Sequence, residues 1–218
     1  MQRSVGQSVV KWFASPDRSL RRNLLEHLAV ILARVDPATV NDKIFPLVAD
    51  GFEDKSPILR EMTVKAVLTL APKLKPQTLE TDVLKHFARL QLDAEPGIRT
   101  NTTICLGKIA EFLTPQTRQK VLASAFVRAL KDHFPPSRLA GVMSLNATAA
   151  LYSVQEVAKK IIPALSHMTI DADPRVREEA FRAIKQFIAV LEGQYREMSD
   201  DQYVKVSRAR PLLVCFFP

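Results

Sequence analysis

The stretch DADPRVR, residues 171–177, sets the period of the whole chain. Steps of 39 residues back from Arg177 reach an arginine four more times. An aspartate stands six residues before each of the last four arginines, and a proline stands three residues before each. The members of this set, here called the ladder, are Arg21, Arg60, Arg99, Arg138, Arg177, Asp54, Asp93, Asp132, Asp171, Pro57, Pro96, Pro135 and Pro174. Such a fixed period is typical of a stacked array of repeats.

A second series of prolines has the same period and stands at Pro37, Pro76 and Pro115, with Val154 in the fourth place. Proline at the first position of a helix loses no hydrogen bond and has its φ already set. Each repeat is therefore predicted to hold two helices joined by the ladder turn. In the second repeat these helices cover about 37–52 and 57–70, where apolar residues recur at helical spacing.

The residues around the prolines favour helix starts as well. Ser56, Glu95 and Asp173 each precede a ladder proline and are predicted to cap or complement the helix start. Where the second series lacks its proline, Ser153 and Glu156 form the pattern of a capping box. The first copy has Ser15 and Arg18 in place of aspartate and proline, as terminal repeats often differ.

Composition agrees with an all-α fold, because 47% of the residues are hydrophobic and only 6 are glycine. Few segments alternate with the period of a strand. We predict an α-solenoid of about five helix pairs, with repeats at about 4–35, 36–74, 75–113, 114–152 and 153–192. Residues 193–218 keep neither series of landmarks and are predicted to form an irregular or divergent tail.

The recurrence of the ladder bears on its role. Aspartate and arginine could meet in charge-assisted hydrogen bonds, either within a repeat or with the next one. The alternative is a catalytic or ligand-binding constellation, but such a site is built once in a protein and not five times. The ladder is therefore predicted to be structural.

Other chemistry is sparse. No glycine-rich phosphate loop or nucleophile elbow occurs, and His27, His86, His133 and His167 stand in different repeats without metal-ligand spacing. We predict no catalytic residue, no metal site and no cofactor. The two cysteines, Cys105 and Cys215, give no disulfide framework, and Cys105 is predicted to be buried. Without a signal sequence or membrane span, the sequence predicts a soluble cytoplasmic protein.

The net charge of +8 leaves an RNA-binding reading open. If the array carried a basic stripe, one repeat position would be basic in most copies. The predicted solvent-facing position five residues after the ladder arginine has no such bias, for it holds Glu26, Lys65, Ile104, Met143 and Arg182. A protein-interaction scaffold is therefore favoured over an RNA-binding module.

Repeats three and four carry unusual second helices. Asn101, Thr102 and Thr103 are polar where the second repeat has Met62 and Val64. In repeat four, Gly141, Ser144 and Ala147 favour close helix packing, and the alternative interpretation of these small residues is a binding groove.

The pattern resembles the HEAT repeat, a member of the armadillo-type superhelices, which has a proline inside its first helix, as at Pro46 and Pro163, a turn aspartate and an arginine in its second helix. Longer strings resemble the HEAT region of the Scy-like pseudokinases, in particular the N-terminal kinase-like branch. They include EDKSPILREMTVKAVLTLAPKL (53–74), IRTNTTICLGKIAEFLTPQTRQKVLASAF (98–126) and PPSRLAGVMSLNATAALYS (135–153). The resemblance covers about residues 5–192.

This resemblance implies a non-catalytic scaffold in COPI-linked vesicle traffic from the Golgi to the endoplasmic reticulum. It also implies partners among COPI coat or Golgi-associated proteins and a peripheral location at the Golgi or the intermediate compartment. The family's alternative role is binding of tRNA in nuclear export. The sequence departs from the family pattern because no kinase motif is present and because Phe216, Phe217 and Pro218 carry no basic coat-recognition signal.

Overall fold

The computed structural model describes residues 2–206, and the side chains of residues 6–194 and 196. Within these residues, ten helices follow one another. Their bounds are Gln2–Phe13 (α1), 18–32 (α2), 37–53 (α3), Pro57–Leu70 (α4), 76–90 (α5), Pro96–Ile109 (α6), Pro115–Ala129 (α7), Pro135–Ala147 (α8), 154–168 (α9) and Pro174–Val206 (α10). The predicted all-α solenoid is confirmed.

The helices form two layers. We call the odd-numbered helices the helix A layer and the even-numbered helices the helix B layer. In the helix B layer, α4 packs on α6, α6 on α8 and α8 on α10. Contacts between the two layers also join the two helices of each repeat. One continuous core lies between the layers, with fully buried side chains such as Ile44, Val67, Phe87, Phe126 and Leu145. No helix could bury its apolar face alone, so stability depends on stacking.

The ladder prolines occupy the first turns of α4, α6 and α8, and α10 begins at Pro174. The capping box of Ser153 and Glu156 is present. Of the three predicted caps, Asp173 is confirmed, since its carboxylate accepts from the N–H of Arg175 at 2.8 Å, whereas the side chains of Ser56 and Glu95 do not bond their helix starts. Instead, the carboxylates of Asp54 and Asp93 accept hydrogen bonds from the backbone N–H groups of Ser56 and Glu95, at 2.8 and 2.9 Å.

Three helices of the A layer contain a π-helical turn that the sequence patterns do not predict. These turns cover Val40–Ile44 in α3, Leu79–Val83 in α5 and Val157–Ile161 in α9. In α3 and α9, Pro46 and Pro163 stand two residues after the π turn and lack the N–H for a regular bond, which accounts for a local change of pitch. In α5 the same place holds Lys85, and nothing in the structure explains that turn.

The tail is predicted to be irregular or divergent, and the irregular alternative does not hold for residues 193–206, which continue α10 to Val206. The segment contains Gln194, Arg196, Glu197 and Met198, all good helix formers, and the next proline is Pro211. Loss of the 39-residue register therefore did not mean loss of helix. Residues 207–218, including Cys215, lie outside the described residues.

The polar run of repeat three is buried in α6. Thr102 and Thr103 donate hydrogen bonds to the carbonyl groups of Ile98 and Arg99 at 2.7 and 3.1 Å, so their hydroxyl groups are satisfied inside the layer. Cys105 is buried beside them, as predicted. Burial raises the pKa of its thiol to about 11, so the thiol stays protonated and unreactive at neutral pH.

Candidate functional site

The ladder joins successive repeats in the structure. The carboxylate of each of Asp93, Asp132 and Asp171 binds the arginine of the repeat before it, 33 residues earlier, through two parallel hydrogen bonds. For example, Arg138 donates from Nε to Asp171 Oδ2 at 2.6 Å and from Nη2 to Oδ1 at 2.7 Å. Bidentate pairing fixes both the distance and the angle between neighbouring repeats.

Each ladder arginine is also anchored in its own turn. Nη1 of Arg60, Arg99 and Arg138 donates to the backbone carbonyl of the aspartate six residues earlier, at 2.8, 2.8 and 2.9 Å. The arginine side chains of these pairs are 13–19% exposed and the aspartate side chains 5–10%. The ion pairs are therefore largely shielded from water. The arginines form hydrogen bonds both within their own repeat and with the next repeat, so both predicted alternatives are present.

The two ends of the ladder differ from its middle. Asp54 pairs with Arg18 at 3.3 Å in place of Arg21, and the Arg18 side chain is mostly exposed. At the other end, Arg177 donates from Nη1 to the carbonyl groups of Asp171 and Ala172 at 2.6 and 3.0 Å, and it has no carboxylate partner among the described side chains.

The arginines also set the charge state of their partners. Hydrogen bonds from Arg99 and Arg138 lower the pKa of Asp132 and Asp171 below the ordinary value, against the opposing effect of burial. Both carboxylates are ionised at neutral pH. The carboxylate oxygens and the arginine donors already bind each other. The ladder therefore connects the repeats and offers no reactive group.

The exposed surface of the helix B layer, here called the helix B surface, changes chemistry along the array. Repeat two presents Glu61 and Lys65 there, and repeat five presents Glu178 and Arg182. At the same positions, repeats three and four present Thr100, Ile104, Leu139 and Met143. The predicted solvent-facing position is confirmed for repeats three and four, since Ile104 is 36% and Met143 52% exposed. The middle of the surface is therefore apolar and uncharged.

This uncharged part forms a groove of about 480 Å³ between α6 and α8. Its lining includes the larger apolar side chains of Ile104, Leu139 and Met143 and small residues, among them Gly107 and Ala147. A Cβ added to Gly107 would lie 3.1 Å from Ser144 Oγ, so the absence of a side chain lets α6 and α8 approach closely.

The hydroxyl groups in the groove are already engaged. Thr100 donates to the carbonyl of Pro96 at 2.8 Å and lies 2.6 Å from the hydroxyl of Ser137. Ser144 donates to the carbonyl of Thr103 at 3.4 Å. The rim carries the exposed cation Lys108. A ligand would consequently meet apolar surface with a single charge at the edge, which is the chemistry of a protein docking groove.

A wider cleft of about 840 Å³ lies between α1 and α3, and its lining includes Lys11, Asp36 and Lys43. Asp36 is occupied as the cap of α3, accepting from the N–H of Thr39 at 2.8 Å. The cleft thus has charged walls that serve the repeat itself, and we regard the groove as the candidate functional site.

The two sequence interpretations of repeat four each describe part of the structure. Ser144 and Ala147 line the groove, whereas Gly141 faces α7, where an added Cβ would lie 3.1 Å from the carbonyl oxygen of Phe126. The pattern analysis missed Leu139 and Pro136. A signal was present, because the position after the ladder arginine holds Arg22, Glu61, Thr100 and Glu178 in the other repeats and an apolar side chain only at Leu139.

Known proteins share this architecture. The crystal structure of Cex1p superposes with a TM-score of 0.81 at 28% identity, over 88% of this chain and 36% of that one. A designed armadillo repeat protein solved with the peptide (KR)4 has a TM-score of 0.59 at 17% identity, over 82% of this chain and 80% of that protein. The HEAT repeat profile matches residues 161–191. The chain is an α-solenoid of the HEAT and armadillo class.

The solenoid also has a curated relative. It is 46% identical over 185 residues to the probable inactive serine/threonine-protein kinase scy1 of Dictyostelium discoideum, and the two are homologous there. The match covers 85% of this chain and 22% of the relative, so the chain spans about a fifth of that protein's length. Residues 2–206 belong to the solenoid, so none of them forms part of a kinase fold.

No helix within residues 2–206 is long and apolar enough to cross a membrane. Over the same part of the chain, no three side chains of the metal-ligating types converge. His27, His133 and His167 are exposed, and His86 is half-buried against the ring of Phe52 at 4.6 Å between centroids.

Proposed function

We propose that this chain is a non-catalytic scaffold that holds partner proteins on its helix B surface. The observation that carries the proposal is the groove between α6 and α8, an uncharged apolar surface in an otherwise charged stripe. Soluble proteins seldom leave such contiguous apolar surface open unless it binds something. The stacked repeats around it supply a stiff frame that keeps the two walls at a fixed distance.

The groove favours a partner that presents an apolar, already hydrogen-bonded surface. Its hydroxyl groups have hydrogen-bond partners within the chain, and the backbone groups of α6 and α8 are hydrogen-bonded within their own helices. An extended peptide would find few groups to satisfy its backbone, whereas an amphipathic helix brings its own hydrogen bonds and a stripe of apolar side chains.

Homology to scy1 suggests the setting in which the scaffold works. We place the chain with the Scy-like pseudokinases, in their N-terminal kinase-like branch, and propose the COPI coat of Golgi-to-endoplasmic-reticulum traffic as its partner. The protein would then act in the cytoplasm at the Golgi surface. The strings at 98–126 and 135–153, which resemble the family, support this proposal because they include residues from both helices that line the groove.

A second candidate function is RNA binding, which one observation favours. Exposed cations without an acid partner among the described side chains lie along the helix A layer, at Lys85, Lys120, Arg128, Lys159 and Lys160. Together with the net charge of +8, they could meet a phosphate backbone.

One binding experiment separates the two candidates. The full chain is titrated with purified COPI coat complex and, separately, with labelled tRNA, each at low and at moderate salt. The scaffold proposal predicts that the chain binds the coat complex at moderate salt as well as at low salt. In Met143→Glu the affinity should fall by roughly tenfold or more, because a charge then enters the groove. The matched control is Val30→Glu, because Val30 is 78% exposed on α2 of the same layer and far from the groove.

Equal affinity of the two variants for the coat complex would refute the groove as the docking site. Binding of tRNA alone, falling steeply with salt, would favour the RNA candidate instead.

A further inference from the structure

The last helix pair exposes positions that every earlier repeat buries. Phe181 stands four residues after its ladder arginine and is 52% exposed, whereas its equivalents are at most 8% exposed. Those equivalents are Leu25, Val64, Thr103 and Val142. Ile188, eleven residues after the arginine, is 43% exposed, and its equivalents are at most 5% exposed. They are Leu32, Ala71, Ala110 and Ala149. The four earlier repeats are covered at these positions by the repeat that follows.

Arg177 stands on the same side of α10, which we call the terminal face and define by Arg177, Phe181, Ile184 and Ile188. Nη1 of Arg177 donates to the carbonyl groups of its own turn. The same is true in the three inner rungs of the ladder, at Arg60, Arg99 and Arg138. In those rungs, Nε and Nη2 grip a carboxylate of the next repeat. The guanidinium of Arg177 is thus oriented in the same way, with these two donors free of any carboxylate among the described side chains.

We propose that the terminal face is a docking site for a further helix pair of the HEAT type, presented by a partner protein and carrying an aspartate in its turn. Its carboxylate would accept from Nε and Nη2 of Arg177. Its first helix would cover Phe181 and Ile188. This chain shows the same joint three times, so the required chemistry is read from its own inner rungs. The terminal face is separate from the groove, and the inference goes beyond the proposed function.

Two other occupants fit less well. The sequence position that would supply the next aspartate of the ladder, 39 residues after Asp171, holds Arg210. A second copy stacked head to tail would bring its first repeat, which has Ser15 where the aspartate is needed. Neither offers the carboxylate that the guanidinium of Arg177 is positioned to bind.

The test is a selection with an unbiased probe. A phage-displayed library of designed helical-repeat proteins is randomised in its first repeat, at the turn position and at the apolar positions of the first helix. It is selected on the full chain, and the winners are titrated against variants. The expected winners carry aspartate or glutamate at the turn position and lose affinity by roughly tenfold or more on Arg177→Gln and on Phe181→Ser.

Arg182→Gln is the matched control, because Arg182 lies on the same helix and pairs with Glu179 of its own turn at 2.9 Å. It should leave the winners' affinity unchanged. A thermal unfolding curve checks that Arg177→Gln is folded. We expect it to be, because the Arg177 side chain contacts only its own turn. Winners without an acidic preference, or with equal affinity for Arg177→Gln, would overturn the proposal. Self-association of the full chain that Phe181→Ser abolishes would also overturn it, by making a second copy the occupant.

Discussion

At the scale of single residues, the inner ladder combines three functions in one guanidinium. Arg138 ties its own turn together through Asp132, grips the carboxylate of Asp171, and sets the angle at which the next repeat packs. Asp171 in turn accepts from the backbone N–H of Asp173 at 2.8 Å. A shielded pair of this kind contributes little compared with an apolar replacement, but it costs much when one partner alone is lost.

Replacing Arg138 by alanine should therefore lower the free energy of unfolding by roughly 3 kcal/mol, because Asp171 is left buried without its partner. Urea unfolding followed by circular dichroism measures this. The control, Arg89→Ala, removes an exposed ion pair with Glu53 and should cost less than about 1 kcal/mol. A loss in Arg138→Ala no larger than in the control would argue against a structural role of the ladder.

The lowered pKa values of Asp132 and Asp171 make stability depend on acid. In the unfolded chain each carboxyl titrates near 3.8, above its folded pKa, so the unfolded state binds more protons at low pH. The stabilisation is complete above about pH 5 and is lost as the pH falls through the folded pKa values. Melting temperatures from pH 6 to pH 3 should fall more steeply for the natural chain than for Arg138→Ala. Parallel curves would contradict this coupling.

At the scale of elements, the helix starts were predictable and the helix interiors less so. Proline at a first turn is a local steric rule, and for this reason α4 begins and ends as predicted, at Pro57 and Leu70. The π turns arise inside helices, where the missing N–H of a proline leaves a carbonyl group unpaired and can be accommodated in several ways. The groove needs two helices at once, so the small side chain at Ser144 could equally be read as packing or as an open surface before α6 was placed against it.

Gly141 in α8 and Gly97 in α6 provide an element-scale prediction. A Cβ on Gly141 would lie 2.9 Å from Leu130 Cδ2 and 3.1 Å from the carbonyl oxygen of Phe126, between α8 and α7. Gly141→Ala should destabilise by roughly 1–3 kcal/mol, because overpacking exceeds the gain in helix propensity. Gly97→Ala is the control, since a Cβ there meets only Glu61 Oε2, at 4.0 Å. It should leave the unfolding midpoint in urea unchanged or raise it. A stabilising Gly141→Ala would show that the layers are less tightly packed than described.

At the scale of the whole molecule, the 39-residue repetition predicted the architecture from sequence, whereas both proposed binding surfaces lie where the repetition fails. The groove occurs where the helix B surface loses its charges, at Leu139 and Met143, and the terminal face occurs at Arg177, where the next aspartate position of the ladder holds Arg210. Ladder residues recur because every joint is alike. Residues that bind a partner have no such internal copies, so their role could only be found once the helices were assembled.

Site-specific photocrosslinking tests most directly whether the groove is the docking surface of this scaffold. A photoreactive amino acid is introduced at Met143 or, in a separate chain, at Val30 on α2, which is the more exposed of the two positions. Each chain is irradiated with purified COPI coat complex. The groove predicts a crosslinked coat subunit from position 143 and none from position 30. Crosslinking from position 30 alone, or from neither position while the complex is bound, would contradict it.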